Sequence, residues 1–144
     1  MAEEIKTKIL IHAEPEKVWA VLNDINNYPN WNPFILYIKG EMKVGQRISI
    51  KIKSPDAKAM NFYPKVLVSD VNREIRWIGH LWIAGLFDGE HVFKLINNED
   101  GTTTFIQNER FTGILTPLLK KQIKISKKGF EAMNIKLKEW VEKQ

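Results

Sequence analysis

The 144-residue chain contains no cysteine. Disulfides, thiol catalysis and thiolate metal sites are therefore excluded, and nothing points to an oxidising compartment. Histidine is nearly as scarce. His12, His80 and His91 are scattered, without carboxylates at ligand-like spacing, so no metal is expected. There is no G-x-G-x-x-G and no G-x-x-x-x-G-K-S/T run to cradle a phosphate, and no cofactor is expected. No serine has a histidine and an aspartate arranged as a triad would need. Nothing resembles a helix-turn-helix or an RNA-binding signature, and nucleic acid is not an expected partner. No apolar run approaches the ~20 residues of a bilayer-spanning helix. The opening Met1-Ala2-Glu3-Glu4 is acidic and leads straight into a strand pattern, so no secretory leader is expected and a cytoplasmic location is.

What is present suits a globular domain: 44% hydrophobic and 27% charged residues, enough apolar surface for a substantial core. The length predicts one domain over 1–144. A net charge of +5 permits attraction to an anionic ligand or membrane without demanding it. Many of the lysines alternate with apolar residues along strands, which is how a solvated sheet face looks.

The last stretch organises the rest. Residues 116–142 read as one long helix, with Thr116 as N-cap and Pro117 at the first helical position. Leu119, Ile123, Phe130, Met133, Leu137 and Val141 recur at three- and four-residue spacing and share one stripe, with Trp140 at its edge. Gln122, Ser126 and Asn134 fall on or beside that stripe. Lys120, Lys121, Lys124, Lys127, Lys128 and Lys138 lie opposite, with isolated Ile125 and Ile135 among them. At 1.5 Å per residue this helix is roughly 40 Å long and must lie against something wide and apolar.

The preceding chain supplies it. Ile5, Thr7, Ile9 and Ile11 alternate with Lys6 and Lys8 in a first strand. A helix starts at Ala13-Glu14-Pro15-Glu16 and buries Val18, Val21, Leu22 and Ile25. A short second helical turn spans 28–33, and Trp31 and Phe34 wedge into the core. Strands are predicted over 34–39, 46–53, 59–68, 74–79, 87–96 and 102–112, the last two joined by the strong turn signal Asn97-Asn98-Glu99-Asp100-Gly101. Short turns imply antiparallel pairing, and only the long helix can cover the single apolar face. The predicted fold is α+β: a curved antiparallel sheet of about seven strands wrapped around a C-terminal helix, with two short helices after strand one.

At this point a resemblance is visible. Ala13-Glu14-Pro15-Glu16-Lys17-Val18-Trp19 with Leu22 and Asp24, and Tyr28-Pro29-Asn30-Trp31-Asn32-Pro33-Phe34, carry it. So do Val44-Gly45, Arg73-Glu74-Ile75-Arg76-Trp77, Phe87-Asp88-Gly89-Glu90-His91-Val92-Phe93, Glu109-Arg110-Phe111-Thr112-Gly113 and Gly129-Phe130-Glu131-Ala132-Met133-Asn134 with Leu137-Lys138. Across essentially its whole length the chain resembles the START-like, helix-grip superfamily, also called SRPBCC, in its polyketide cyclase/dehydrase-like branch. The resemblance implies the helix-grip fold and a cavity between sheet and helix for a sterol, lipid, plant hormone, quinone or polyketide. A minority of such proteins are aromatases or cyclases.

Parity says what would line that cavity. The 97–101 turn sets residues whose numbers sum to about 200 opposite each other, so His91 faces Glu109 and Phe93 faces Gln107. The inward set is then Phe87, Gly89, His91, Phe93 and Leu95 on one strand and Phe105, Gln107, Glu109 and Phe111 on its neighbour, with Trp77 near His91. Lys94 and Arg110 on the other face support this phase. The candidate ligand-binding residues are Trp31, Phe34, Trp77, Trp82, Phe87, His91, Phe93, Gln107, Glu109, Phe111, Ser126, Phe130, Met133 and Asn134. A buried carboxylate needs a partner, and His91 beside Glu109 provides one. The pair has three readings: a satisfied structural contact, a device that orients a ligand hydroxyl or carbonyl, and an acid–base pair, for which His91 and Glu109 are the catalytic candidates.

Three other features have paired readings. The apolar 80–86 loop is either a lip over the cavity entrance, with Gly85 as hinge, or a closure of the core. Gly129 either admits a close neighbour or bend, or is a tolerated surface glycine. The lysine face Lys120, Lys121, Lys124, Lys127, Lys128 is a solvated helix back or a transient docking surface for an anionic membrane. Three functions compete: a carrier or binder of a small hydrophobic molecule; a polyketide-type cyclase or dehydratase; and a co-chaperone-like or toxin-like protein-interaction module, which a filled interior would favour.

Overall fold

A computed structural model describes residues 2–81 and 83–144. Alternation builds its sheet. Strand β1 (Glu3–Ile11) buries Ile5 and Ile11 and exposes Lys6 and Lys8. Helix α1 (Pro15–Asn23) follows, with Pro15 in its first turn and Val18, Trp19 and Leu22 on its buried side. A 3₁₀ segment (Ile25–Asn30) carries Tyr28 into the core, where the phenol donates to the Leu22 carbonyl at 2.7 Å. Burial first, and Asp24 second, push that phenol's pKa upward. Strands β2 (Ile35–Lys39), β3 (Ser49–Ile52), β4 (Met60–Phe62), β5 (Lys65–Asp70), β6 (Glu74–His80), β7 (Asp88–Asn97) and β8 (Thr103–Thr112) come next. A 3₁₀ turn (Thr116–Leu118) leads into α2 (Lys120–Lys143). All strand pairs are antiparallel, in the orders β1-β8-β7-β6-β5 and β2-β3-β4. The class is α+β, with the helix-grip arrangement of sheet around the long helix. None of the helices is long and apolar enough to cross a membrane among the described residues.

The β7–β8 register is tightly set. In the connecting turn Glu99 N–H donates to Asn97 Oδ1 (2.8 Å) and Thr102 N–H to Asp100 Oδ1 (2.9 Å), while Glu99 and Gly101 take positive φ. His91 consequently faces Glu109, and Phe93 faces Gln107. The β6–β7 pairing sets Trp77 opposite His91 and Gly79 opposite Gly89.

Two details depart from the sequence reading. The single strand expected over 59–68 is split into β4 and β5, giving eight strands. Pro64 has no N–H for a ladder, and the chain changes partners there. The break is bridged by Ile48 N–H to Pro64 O, Val66 N–H to Gln46 O and Gly45 N–H to Val66 O, each 2.9 Å, so the curvature continues across it. The long helix starts at Lys120, not Thr116. Thr116 is buried, its hydroxyl finds no partner among the described residues, and Leu119 occupies the N-cap without a side-chain cap.

Candidate functional site

The sheet and α2 meet over only part of their length. Phe130, Met133, Leu137 and Val141 are fully buried along the later turns of α2. The first turns stand off the sheet and leave a cavity of about 280 Å³. Its walls are Trp77 and Gly79 from β6, Gly89 and His91 from β7, Glu109 and Phe111 from β8, and Ile35, Ile50, Ile52, Met60 and Phe62 from β2–β4. The helix contributes Gln122, Ile123, Ile125, Ser126 and Phe130, preceded by Leu119. Exposed Lys58, Met60 and Gln122 mark the mouth, whereas His91, 3% exposed, marks the buried end.

Aromatic rings fix the plane of His91. Trp77 stacks on it at 4.9 Å and 10°, Phe130 lies 4.9 Å away and tilted, and Phe93 meets it edge-on at 5.1 Å. Both ring nitrogens are engaged: Nδ1 lies 2.8 Å from Glu109 Oε1, and Nε2 lies 3.0 Å from Gln107 Oε1. Gln107 Nε2 donates to Asn134 Oδ1 (2.8 Å) and to the Phe130 carbonyl (3.4 Å). Asn134 Nδ2 donates to Thr7 Oγ1 (2.9 Å), whose hydroxyl donates to the Gln107 carbonyl (2.6 Å). A continuous polar chain thus runs from the cavity into the core and pairs the imidazole, amide and hydroxyl groups of His91, Gln107, Asn134 and Thr7 with one another. Glu109 Oε2, the one carboxylate oxygen turned away from His91, lies where a Cβ on Gly89 would sit, so glycine at 89 makes the room for it. Among the described residues no group of three or more histidines and carboxylates converges as a metal site would.

Of the residues singled out from sequence, Phe34, Trp77, Phe87, His91, Glu109, Phe111, Ser126 and Phe130 border the cavity together. Phe93, Gln107, Met133 and Asn134 do not. They point the same way but lie below the level at which α2 seals the sheet, Gln107 and Asn134 bound to each other and Phe93 packed beneath His91 and Trp77. Trp31 is also a correction: it is buried against Tyr28 at 5.1 Å, beside Trp140 and away from the cavity. Trp82 lies outside the described residues. Sequence reading missed Ile50, Ile52, Met60 and Phe62, although their alternation with Lys51 and Asn61 was visible. It also missed Ile125, which falls in the cavity wall and not among the lysines, because the mouth curls around the start of α2.

Around the mouth, Leu81 and Phe87 face the cavity, while Ile83 is exposed. Gly85 takes φ +93°, and its N–H is held by the Asp88 carboxylate at 3.1 and 3.2 Å; that carboxylate also pairs with His80 at 2.7 Å. Residues 85 and 86 are tied by main-chain bonds to Ile114 and Leu115. Lys120, Lys121, Lys124, Lys127 and Lys128 are exposed, with Lys120 reaching Glu3 at 3.4 Å.

Gly129 is buried against the Phe34 ring, which a methyl group there would overlap. Gly129→Ala should gain about 1 kcal/mol of helix propensity and lose about 1–3 kcal/mol to overpacking, a net loss of up to about 2 kcal/mol. Urea denaturation measures this. A stabilised variant would show that the Phe34 ring moves aside freely.

A family profile described as "Polyketide cyclase / dehydrase and lipid transport" matches residues 2–133. No curated protein matches the chain in sequence. Among solved structures, an aromatase/cyclase from a Streptomyces species superposes with a TM-score of 0.78 at 13% identity, covering 99% of this chain and 94% of that one. A START superfamily protein from Mycobacterium smegmatis gives 0.74 at 17% identity, with 97% of each chain covered. Norcoclaurine synthase from Thalictrum flavum, in complex with dopamine and hydroxybenzaldehyde, gives 0.74 at 11% identity, covering 100% of this chain and 88% of that one. At these identities the structural likeness speaks to the fold.

Proposed function

The chain belongs to the polyketide cyclase/dehydrase and lipid transport family, within the helix-grip superfamily, and from that premise we propose that it binds a small hydrophobic molecule between its sheet and α2. The observation that carries this reading is the cavity itself, apolar and aromatic in its walls, with a single polar pair at its buried end. Its volume of about 280 Å³ lies at the lower edge of the roughly 300–1,000 Å³ typical of ligand sites, which favours a compact, ring-shaped ligand over a full-length lipid. An open interior of this kind is not what a protein-interaction module needs. Ser126 tests the proposal because it borders the cavity and its hydroxyl serves only its own helix, donating to the Gln122 carbonyl at 3.0 Å. Ser126→Trp should fill the space and abolish uptake of an aromatic fluorescent probe while circular dichroism stays native. Unchanged uptake would place the probe elsewhere and remove the proposal.

The same pair supports a second reading, a cyclase or dehydratase in which His91 and Glu109 move a proton on a polyketide-like substrate. In that case His91→Asn should abolish turnover of a linear polyketone in a folded protein, and unaltered turnover would exclude His91 from the chemistry. Exposed Ile114 and Leu118, just ahead of the lysines of α2, support transient docking of the cavity mouth on an anionic membrane as the route by which a ligand enters.

A further inference from the structure

The polar chain behind the cavity has a direction, and that direction limits what the cavity accepts. It begins at an atom that cannot donate, the Gln107 carbonyl, which takes the Thr7 hydroxyl proton. With its only proton committed, Thr7 Oγ1 accepts from Asn134 Nδ2. Asn134 must then turn Oδ1 toward Gln107 and accept from Nε2, an orientation that the Phe130 carbonyl reinforces by accepting the second Nε2 proton. Gln107 Oε1 is left facing His91 Nε2 at 3.0 Å, so Nε2 carries a proton. On the other side of the ring, Nδ1 and Glu109 Oε1 stand 2.8 Å apart, a separation that two lone pairs do not hold. One proton lies between them. If it sits on Nδ1, Glu109 is a carboxylate. If it sits on Oε1, Oε2 is the carbonyl oxygen of an acid. In both arrangements Oε2 has no proton, and among the described residues nothing donates to it. A further proton on Oε2 would leave a net positive charge on a pair whose side chains are only 4% and 18% exposed.

We infer that the buried end of the cavity is an acceptor-only site, and that the ligand is a compact apolar molecule carrying an O–H or N–H donor, such as a phenol or alcohol. A molecule whose sole polar group is a ketone, ether or carboxylate would set its own acceptor against Oε2 with no proton between them, leaving both unsatisfied. Thr7, Asn134 and Gln107 act here as positioning residues, through the protonation of His91. This inference rests on the cavity binding proposed above, and the experiment separates the two. The protein is titrated calorimetrically with 2-naphthol, 2-methoxynaphthalene and 2-naphthoate, which share one ring system. The expected result is that 2-naphthol binds at least about tenfold more tightly than either of the others, the ratio set by one hydrogen bond to an acceptor that otherwise has no partner. If none of the three binds, the cavity-binding proposal itself falls. If 2-methoxynaphthalene or 2-naphthoate binds within about threefold of 2-naphthol, cavity binding stands and the acceptor-only inference is overturned. Nitrogen-15 spectra of the three histidine rings give a readout independent of any ligand. His91 should show a protonated Nε2, and a bare, lone-pair Nε2 signal overturns the inference.

Discussion

Phe130→Ala is expected to cost about 3–5 kcal/mol of stability and to lower the melting temperature by roughly 6–20 °C. Phe130 is fully buried at the point where α2 first seals onto the sheet. Its ring touches Phe34 on one side, at 5.2 Å between centroids, and His91 on the other, at 4.9 Å. No neighbour can close the gap, since His91 is anchored at both nitrogens and Phe34 already rests against Gly129. The void would join the existing cavity, so the loss should fall near the full transfer-plus-cavity value. Set against a typical domain stability of about 5–15 kcal/mol, this would leave the protein marginal at 37 °C. Phe130→Leu should recover more than half of the loss. A denaturation midpoint within about 1 kcal/mol of wild type for Phe130→Ala would mean that the seal is made elsewhere on the helix.

Gln107→Leu should be nearly as damaging, for a different reason. The volume is roughly kept, but the His91 Nε2–H and Asn134 Oδ1 lose their partners together, each buried group costing about 1–3 kcal/mol, so that about 2–6 kcal/mol is lost. Asn134→Leu alone leaves Gln107 Nε2 with one long contact to the Phe130 carbonyl and removes the donor to Thr7. The two substitutions act on one chain and should not add. The double variant is expected to be at least about 1 kcal/mol more stable than the sum of the single losses predicts, and a double-mutant cycle in urea measures the difference. Strict additivity would show that the chain is a row of separate bonds without coupling.

The register around His91 was readable from residue order because it depends on local chemistry. Asn97 and Asp100 bend the turn with their own side chains, Gly101 accepts a positive φ, and the pairing of 91 with 109 follows by counting. The same holds for the stripe on α2, from Ile123 to Val141. Depth was not readable. Phe93 and Phe111 have the same parity and similar chemistry, yet one lies under the helix seal and the other beside open space, because strand alternation reports the side of a sheet and not the height at which the helix closes on it. The change of partner at Pro64 was hidden for a related reason. A missing N–H says where a ladder cannot continue, while the sheet that takes the next strand is decided by residues far away, here Gln46 and Trp77. Thr116 had the side chain of a cap and the wrong setting, enclosed where its hydroxyl cannot reach a free amide.

The edge pairing of β1 with β8 also bears on how the chain is made. Thr7 bonds to Asn108 across 101 positions, so the first strand has no ladder partner until the last strand has left the ribosome. At about 5–20 residues per second that interval is roughly 5–20 s. Throughout it Ile5, Ile9 and Ile11 belong to an unpaired nascent segment, a window in which chaperone capture and aggregation compete for them.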